Sequence, residues 1–315
     1  MNRRILLAGL PALLATPALA QAERPIRLIV PVAPGGSQDI VARLFARHMS
    51  PALGQQVVVE NLPGAGSNLG YEAVVRARPD GLTIGAGSDS LSINRSLFPR
   101  LGFDPVADIT PIAQASVVPQ ILVVDYRSPV RSLADFYSLA RREALAVGTP
   151  GNGSLSHLLQ QVLQDAGEVS WTHAPYRGGA LALNDLMGGS LQGVMINIGA
   201  VAEHVRAGRL RGIADSSPGR ATALPDVPTF TESGLRGADA VGWHGLFGPK
   251  GMAPELVARL HGALVSALRV PEVAQRLAAL GIEPTEAPPE ALGARLVADA
   301  DRWAVLIRRA QLRPE

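Results

Sequence analysis

Ile26-Arg27-Leu28-Ile29-Val30-Pro31-Val32-Ala33-Pro34-Gly35-Gly36-Ser37-Gln38-Asp39-Ile40 is the stretch on which the reading of this chain turns. It reads as a buried strand, a glycine turn and the start of a helix without a side-chain cap. The first amides of a helix have no acceptor within the helix, and its dipole adds positive potential at the same point. A turn of this build is suited to an anionic group. Gly35, Gly36 and Ser37 are therefore candidate ligand contacts. Asp39, in the first helical turn, complements the dipole and stands close enough to the turn to tune what enters.

Outward from this stretch, strand and helix patterns alternate. Ile26–Val30 and Gln56–Glu60 read as strands, with an amphipathic helix over Ile40–Leu53 between them. Helix Leu69–Arg76, strand Thr83–Ala86, helix Leu91–Leu97, strand Ile121–Val124 and helix Leu133–Arg142 follow. This βαβα order predicts an α/β fold with a mainly parallel sheet and helices on both faces. Ala146–Ser154 then repeats the opening device, and its helix runs to Ala166. Further strands are expected at Trp171–Ala174, Gly193–Ile198, Arg211–Ala214 and Val241–Gly248, with helices at Gly179–Met187 and Val201–Ala207. Three C-terminal helices each open on a proline, at Pro254, Pro271 and Pro289.

Four glycine-rich turns follow expected strands: Pro34–Ser37, Pro63–Asn68, Gly85–Ser88 and Gly151–Ser154. Each ends in serine or serine-asparagine. The plainer reading is that these serines cap their own helices; four together favour a site. Gly66, Ser67, Asn68, Ser88, Asn152, Gly153 and Ser154 join the candidate contacts on that ground. Tyr176, Arg177, Gly178 and Gly179 add a phenol, a guanidinium and another glycine turn. Arg177 either pairs a carboxylate or is an ordinary surface arginine.

Composition bounds the partners. Arg3 and Arg4, the apolar run Ile5–Thr16 and Ala18-Leu19-Ala20 form a cleavable secretion signal over residues 1–20. Its removal takes away two arginines and no acid, so the formal net charge of +2 falls to zero. Lys250 is the only lysine. Arginines are scattered and aromatics few, which argues against nucleic acid as a partner. The absence of cysteine excludes disulfides and thiolate metal sites.

Three other chemistries fail on spacing. Gly64-Ala65-Gly66 lacks the third glycine of a dinucleotide turn, and no phosphate-loop lysine motif occurs. The six histidines show no metal-binding spacing, so neither metal nor cofactor is expected. Ser154 and His157 lie three apart and would share a helix face. No G-x-S-x-G elbow accompanies them, and His157 is expected to pack beside the cleft or to donate a hydrogen bond.

Taken in order, Pro25–Pro31, Ala33–Ser37, Val57–Asn61 with Pro63–Gly66, Phe103–Val106, Gly151–Ser154 with His157, Pro175–Gly178, Asp185–Gly189 and Leu224–Thr229 resemble the Bug receptors. These are the extracytoplasmic solute-binding proteins of tripartite tricarboxylate transporters. The resemblance runs from about Pro25 to the C-terminus. It implies a periplasmic binding protein fold of type II, with two α/β lobes and two crossings near Leu122 and Val241. The expected division is residues 23–122 with 242–315 in lobe 1, and 123–241 in lobe 2. It further implies a non-catalytic, monomeric receptor in the periplasm that closes on a small carboxylate, a di- or tricarboxylate or an aromatic acid. The first two glycine turns would hold that carboxylate, with Asn152, Ser154 and the Arg177–Gly179 turn on the facing lobe. The implied partners are integral-membrane permease subunits; a sensor kinase is the alternative, and a Ser/His hydrolase the residual one.

Departures from the family bear on the ligand. Ser67 stands where relatives carry glycine. Ile196 precedes Asn197 where many carry aspartate, which predicts an uncharged or purely acidic ligand body, because Ile196 would leave a buried ammonium unpaired. Asp89, behind Ser88, is expected to disfavour a second carboxylate.

Overall fold

The computed structural model describes residues 24–98, 100–176 and 178–314. The expected secretion signal and Arg177 therefore lie outside the described residues. Chain order begins β1 (Ile26–Val30), α1 (Ser37–Leu53), β2 (Val57–Asn61), α2 (Asn68–Val75), β3 (Thr83–Ser88), α3 (Ser90–Leu97) and β4 (Ile109–Val118). It passes through Pro119 into β5 (Gln120–Asp125), α4 (Leu133–Ala140), β6 (Ala146–Thr149), α5 (Leu155–Gly167), β7 (Thr172–Pro175) and α6 (Gly179–Met187). β8 (Gly193–Asn197), α7 (Ala202–Arg206) and β9 (Leu210–Asp215) follow. The chain returns as β10 (Gly242–Pro249) and ends in α8 (Pro254–Leu268), α9 (Pro271–Ala279), β11 (Glu283–Ala287) and α10 (Pro289–Arg309).

Two sheets result, in the orders β11-β4-β10-β3-β1-β2 and β7-β6-β8-β5-β9. They are the frames of two α/β lobes. The expectation of mainly parallel sheets is corrected: both are mixed. β1 pairs parallel with β2 and β3, and β6 with β7 and β8. β10 runs antiparallel to β3 and β4, β11 to β4, and β5 to β8 and β9. A parallel neighbour needs a crossover, usually a helix. The links that change sheet, Pro119 and the irregular stretch 216–241, contain no such helix. β4 and β11 escape the sequence pattern because Pro111, Gln114 and Ser116 interrupt the first, while Glu283-Pro284-Thr285-Glu286-Ala287 forms a half-exposed edge.

Each lobe has its own apolar core. In the first, Leu28, Val30 and Ile84 of the sheet meet Phe45 and Met49 of α1 and Leu260 and Leu264 of α8. Helix α1 forms because Val41, Ala42, Phe45, Ala46, Met49 and Leu53 recur at helical spacing on its buried face, and Gly54 at φ +62° closes it. In the second, Leu122, Val147 and Met195 meet Phe136, Leu158 and Leu163. Each fully buried side chain of this size contributes about 1.5–3 kcal/mol of burial free energy.

Helix α10 belongs to both. Leu292 and Leu296 pack with Tyr71, Trp243 and Phe247, whereas Trp303, Leu306 and Ile307 join the cluster of Leu122, Phe136 and Leu158. The lobes also meet backbone to backbone. A Cβ built on Gly199, in the short turn after β8, would overlap the carbonyl oxygen of Leu280, and one on Gly281 would lie 2.8 Å from the Gly199 Cα.

Candidate functional site

Between the lobes lies a cleft of about 450 Å³. Val32, Gly36, Ser37 and Gln38 come to it from the first strand-turn-helix unit, and Ser88 and Asp89 from the end of β3. The other lobe presents Pro150, Ser154, Leu155, Ser156, Gly178, Gly179 and Asn197. The floor is made by the crossing strands through Val118, Gln120, Gly242 and His244.

Three helix N-termini reach this space without a side-chain cap: α1 behind Gly36, α3 behind Asp89 and α6 behind Gly178. In α1 the first intrahelical bond is donated by Ile40 to the Gly36 carbonyl (3.0 Å), so the amides of Ser37, Gln38 and Asp39 precede it. No lysine or arginine lines the cleft among the described residues. Positive potential there comes from backbone amides and helix dipoles. Such a field suits one carboxylate of modest size.

Neighbouring side chains set the turn. Asp39 is buried and accepts from the Gly35 N–H (2.9 Å), Arg43 Nε (3.1 Å) and Asn61 Nδ2 (2.8 Å). Burial pushes its carboxyl up, but these donors together hold it below the ordinary range. Asp39 does not line the cleft; it is a positioning residue that pins Gly35 at φ +90°. Gln38 donates to the Ala86 carbonyl (3.0 Å), which ties α1 to β3. Ser88 is fixed by fully buried Tyr71, whose hydroxyl lies 3.2 Å from Ser88 Oγ and 2.5 Å from Ser90 Oγ. Burial pushes the Tyr71 phenol up to about 12, so it stays a neutral hydrogen-bonding group.

On the facing lobe, Ser154 does cap its helix. Its Oγ accepts from the His157 N–H (3.3 Å) and donates to the Gly151 carbonyl (2.7 Å). The His157 ring is used elsewhere: Nδ1 accepts from the Gly153 N–H (3.1 Å), and the ring stacks on His173 at 3.7 Å. His157 is thus buried behind Ser154 with Nδ1 as an acceptor, and Ser154 Oγ bonds its backbone N–H rather than its ring, so the two form no proton-transfer pair. Asn197 accepts from the Ala200 N–H (3.0 Å) and fixes the turn that carries Gly199.

Several candidate residues lie away from the cleft. Gly66, Ser67 and Asn68 are turned toward α3: Asn94 donates to the Gly66 carbonyl (2.7 Å) and to Asn68 Oδ1 (2.9 Å). Asn68, at the start of α2, borders a separate, larger cavity of about 770 Å³ with Leu69, Phe98, Arg100, Leu312 and Arg313. Asn152 donates to the Arg313 carbonyl (2.8 Å), and Gly153 packs on Leu97. Tyr176 donates to Asp185 (2.6 Å). Ile196 is fully buried beneath Gly179, so the argument that it leaves a ligand ammonium unpaired loses its footing. Gln120, Ser156 and His244, which do line the cleft, escaped the sequence reading. They sit on crossing strands and a helix face with no glycine signature, and only Pro119 marks the place.

The turn 64–67 is strained. Gly64, Ala65, Gly66 and Ser67 all hold positive φ, with Ser67 at +80°. Left-handed backbone costs an L-residue about 1–2 kcal/mol. Ser67→Gly is therefore expected to raise stability in urea unfolding by about 1 kcal/mol with ligand affinity unchanged. A loss of stability would contradict the strain.

Sequence and fold place the chain among known receptors. The model of the TctC family, described as tripartite tricarboxylate transporter family receptor, matches residues 41–312. Protein BugT of Bordetella pertussis is 34% identical over 319 residues, covering 98% of this chain and 98% of BugT. Among solved structures, MatC from Rhodopseudomonas palustris with bound malate is 32% identical with a TM-score of 0.80, over 90% of this chain and 99% of that one. A second R. palustris protein, solved with adipate, is 30% identical with a TM-score of 0.83, over 94% and 100%.

Proposed function

Because the chain belongs to the tripartite tricarboxylate transporter receptor family, and is thus a solute-binding receptor and no enzyme, we propose that it captures a small carboxylate in the interlobe cleft. The observation that carries this reading is the meeting of three uncapped helix N-termini in one space. Malate in MatC and adipate in the second R. palustris structure are ligands of the same chemistry. Ligand that touches both lobes binds the closed form better, and that differential affinity sets the closed population. The partners of this reading are integral-membrane permease subunits that receive the ligand in the periplasm. Among the described residues no helix is long and apolar enough to cross a membrane itself.

A thermal-shift screen of the protein without residues 1–20 against small carboxylates tests the reading. A ligand at about 100 times its Kd adds about 2.7 kcal/mol of apparent stability. Ser37→Asp sets a negative charge beside the α1 amides and is expected to remove the shift. A shift retained in that variant places the anion elsewhere, and no shift with any carboxylate overturns the function.

A further inference from the structure

Asp89 is the one acidic residue among those described that line the cleft. It stands at the end of β3, next to β1, so its carboxyl lies one strand over from the α1 amides. Three ordinary explanations for an acid at this place fail. It makes no side-chain cap for α3. No arginine or lysine pairs with it among the described residues. Arg295, the cation that acts on it from α10, already binds Asp299 (3.2 Å), Gln114 (3.1 Å) and the Val241 carbonyl (2.5 Å). Nor is it wholly covered: it is half-buried, with the Trp243 N–H facing its carboxyl, and still borders the open space. Opposite it stands Gly242, where a Cβ would come within 3.2 Å of Asp89 Oδ1. The lack of a side chain at Gly242 leaves room for the Asp89 carboxyl itself, beside the Val118 carbonyl and the Gln120 amide.

A carboxylate in a cleft built for an anion is costly unless it does something for the ligand. A second carboxylate of the ligand brought against it would meet a like charge in a poorly hydrated space. An amino or hydroxyl group would complete a charge-assisted hydrogen bond. We infer that Asp89 is a specificity determinant: it favours carboxylates carrying an amino or hydroxyl donor beside the α1-bound group and rejects those carrying a second carboxylate there. This rests on the reading of the cleft as a carboxylate site. It replaces the expectation of an uncharged or purely acidic ligand body, which depended on Ile196.

Isothermal titration of matched ω-amino, ω-hydroxy and ω-carboxy acids against wild type and Asp89→Asn is the test. At about pH 7.5 the wild type is expected to bind the amino or hydroxy member about tenfold more tightly than the dicarboxylate of equal length. Asp89→Asn narrows that ratio about fivefold or more, and more for the amino than the hydroxy acid, because asparagine still accepts a hydrogen bond but carries no charge. Dicarboxylates bound as tightly as their partners in wild type, or a ratio unmoved in folded Asp89→Asn, overturn the inference while leaving the receptor a carboxylate binder. Failure of every acid to bind overturns both. Should the variant not fold, the wild-type ratio followed downward in pH decides. Burial pushes the Asp89 carboxyl up to about 6, the nearby His244 is pushed down to about 4, and Arg295 and Asp299 face Asp89 from α10. The preference for the amino acid must therefore fall as the pH drops through about 6, and a flat ratio is the contrary result.

Discussion

Gly199→Ala lowers carboxylate affinity about 100-fold and leaves the ligand-free receptor folded. The new methyl would occupy the position of the Leu280 carbonyl, an atom of main chain with no rotamer by which to yield. Overpacking of this kind costs about 1–3 kcal/mol, and the upper end applies where the obstacle is backbone. The expected loss rests on the turn 198–200 parting from Leu280 and Gly281 as the lobes open, so that the cost falls on the closed form. Ligand affinity is reduced by the competent fraction of the population, and about 3 kcal/mol corresponds to about two orders of magnitude. Titration calorimetry together with the urea midpoint of the free protein separates the two effects. Affinity within a few-fold of wild type would show that binding does not require this contact.

Acid is the second large effect. His157, His173 and His244 are each pushed down to about 4, by burial first in every case and for His157 also by the charge of His173. In the unfolded chain they return to about 6.5. Between these values the unfolded state binds more protons, so stability is complete above about pH 6.5 and is lost as the pH falls toward 4. A fully buried imidazole so shifted, as His244 is, contributes about 3 kcal/mol over that span, and the partly exposed His173 less. Asp89 and Asp215, both raised by burial, act in the opposite sense and gain stability over part of the same range. The three imidazoles outnumber the two carboxyls, so a net loss of stability is expected between about pH 7 and 4.5. Protonating His157 also turns Nδ1 from acceptor to donor, so the Gly153 N–H loses its partner and the second-lobe turn loosens before the lobe unfolds. Urea midpoints across this range measure the slope; a flat profile would mean that the three imidazoles titrate normally.

Local structure was largely legible where a single strand-turn-helix unit carries its own signals. Ile26–Val30 with Gly35 and Gly36 announced a buried strand and an uncapped helix, and both are there. The four serine-bearing turns were harder to separate by inspection. Ser154 caps its helix, Ser37 is the first helical residue behind Gly36, Ser88 belongs to a hydroxyl cluster with Tyr71 and Ser90, and Ser67 sits in a strained turn facing α3. Local sequence cannot tell these apart, because the difference lies in which neighbouring element covers the turn. Sheet direction failed for a similar reason: β4 and β11 have no periodic apolar face, and their pairing partners are distant in sequence. Gln120 and His244 reach the cleft because two crossing strands pass beneath it, and Ser156 because the first turn of α5 borders it. Ile196 shows the converse, a residue next to a site residue whose side chain belongs to the core.

The double membership of α10 bears on how the protein comes into being. The strands of the second sheet are all present once residue 215 has been made, yet that core takes Trp303, Leu306 and Ile307 from the end of the chain. The first sheet likewise waits for β10 and β11. Domains in general condense one after another as they leave the ribosome. Here neither half has its closing residues until synthesis is all but finished. Completion of both lobes thereby depends on the C-terminal segment that carries β10, β11 and α10.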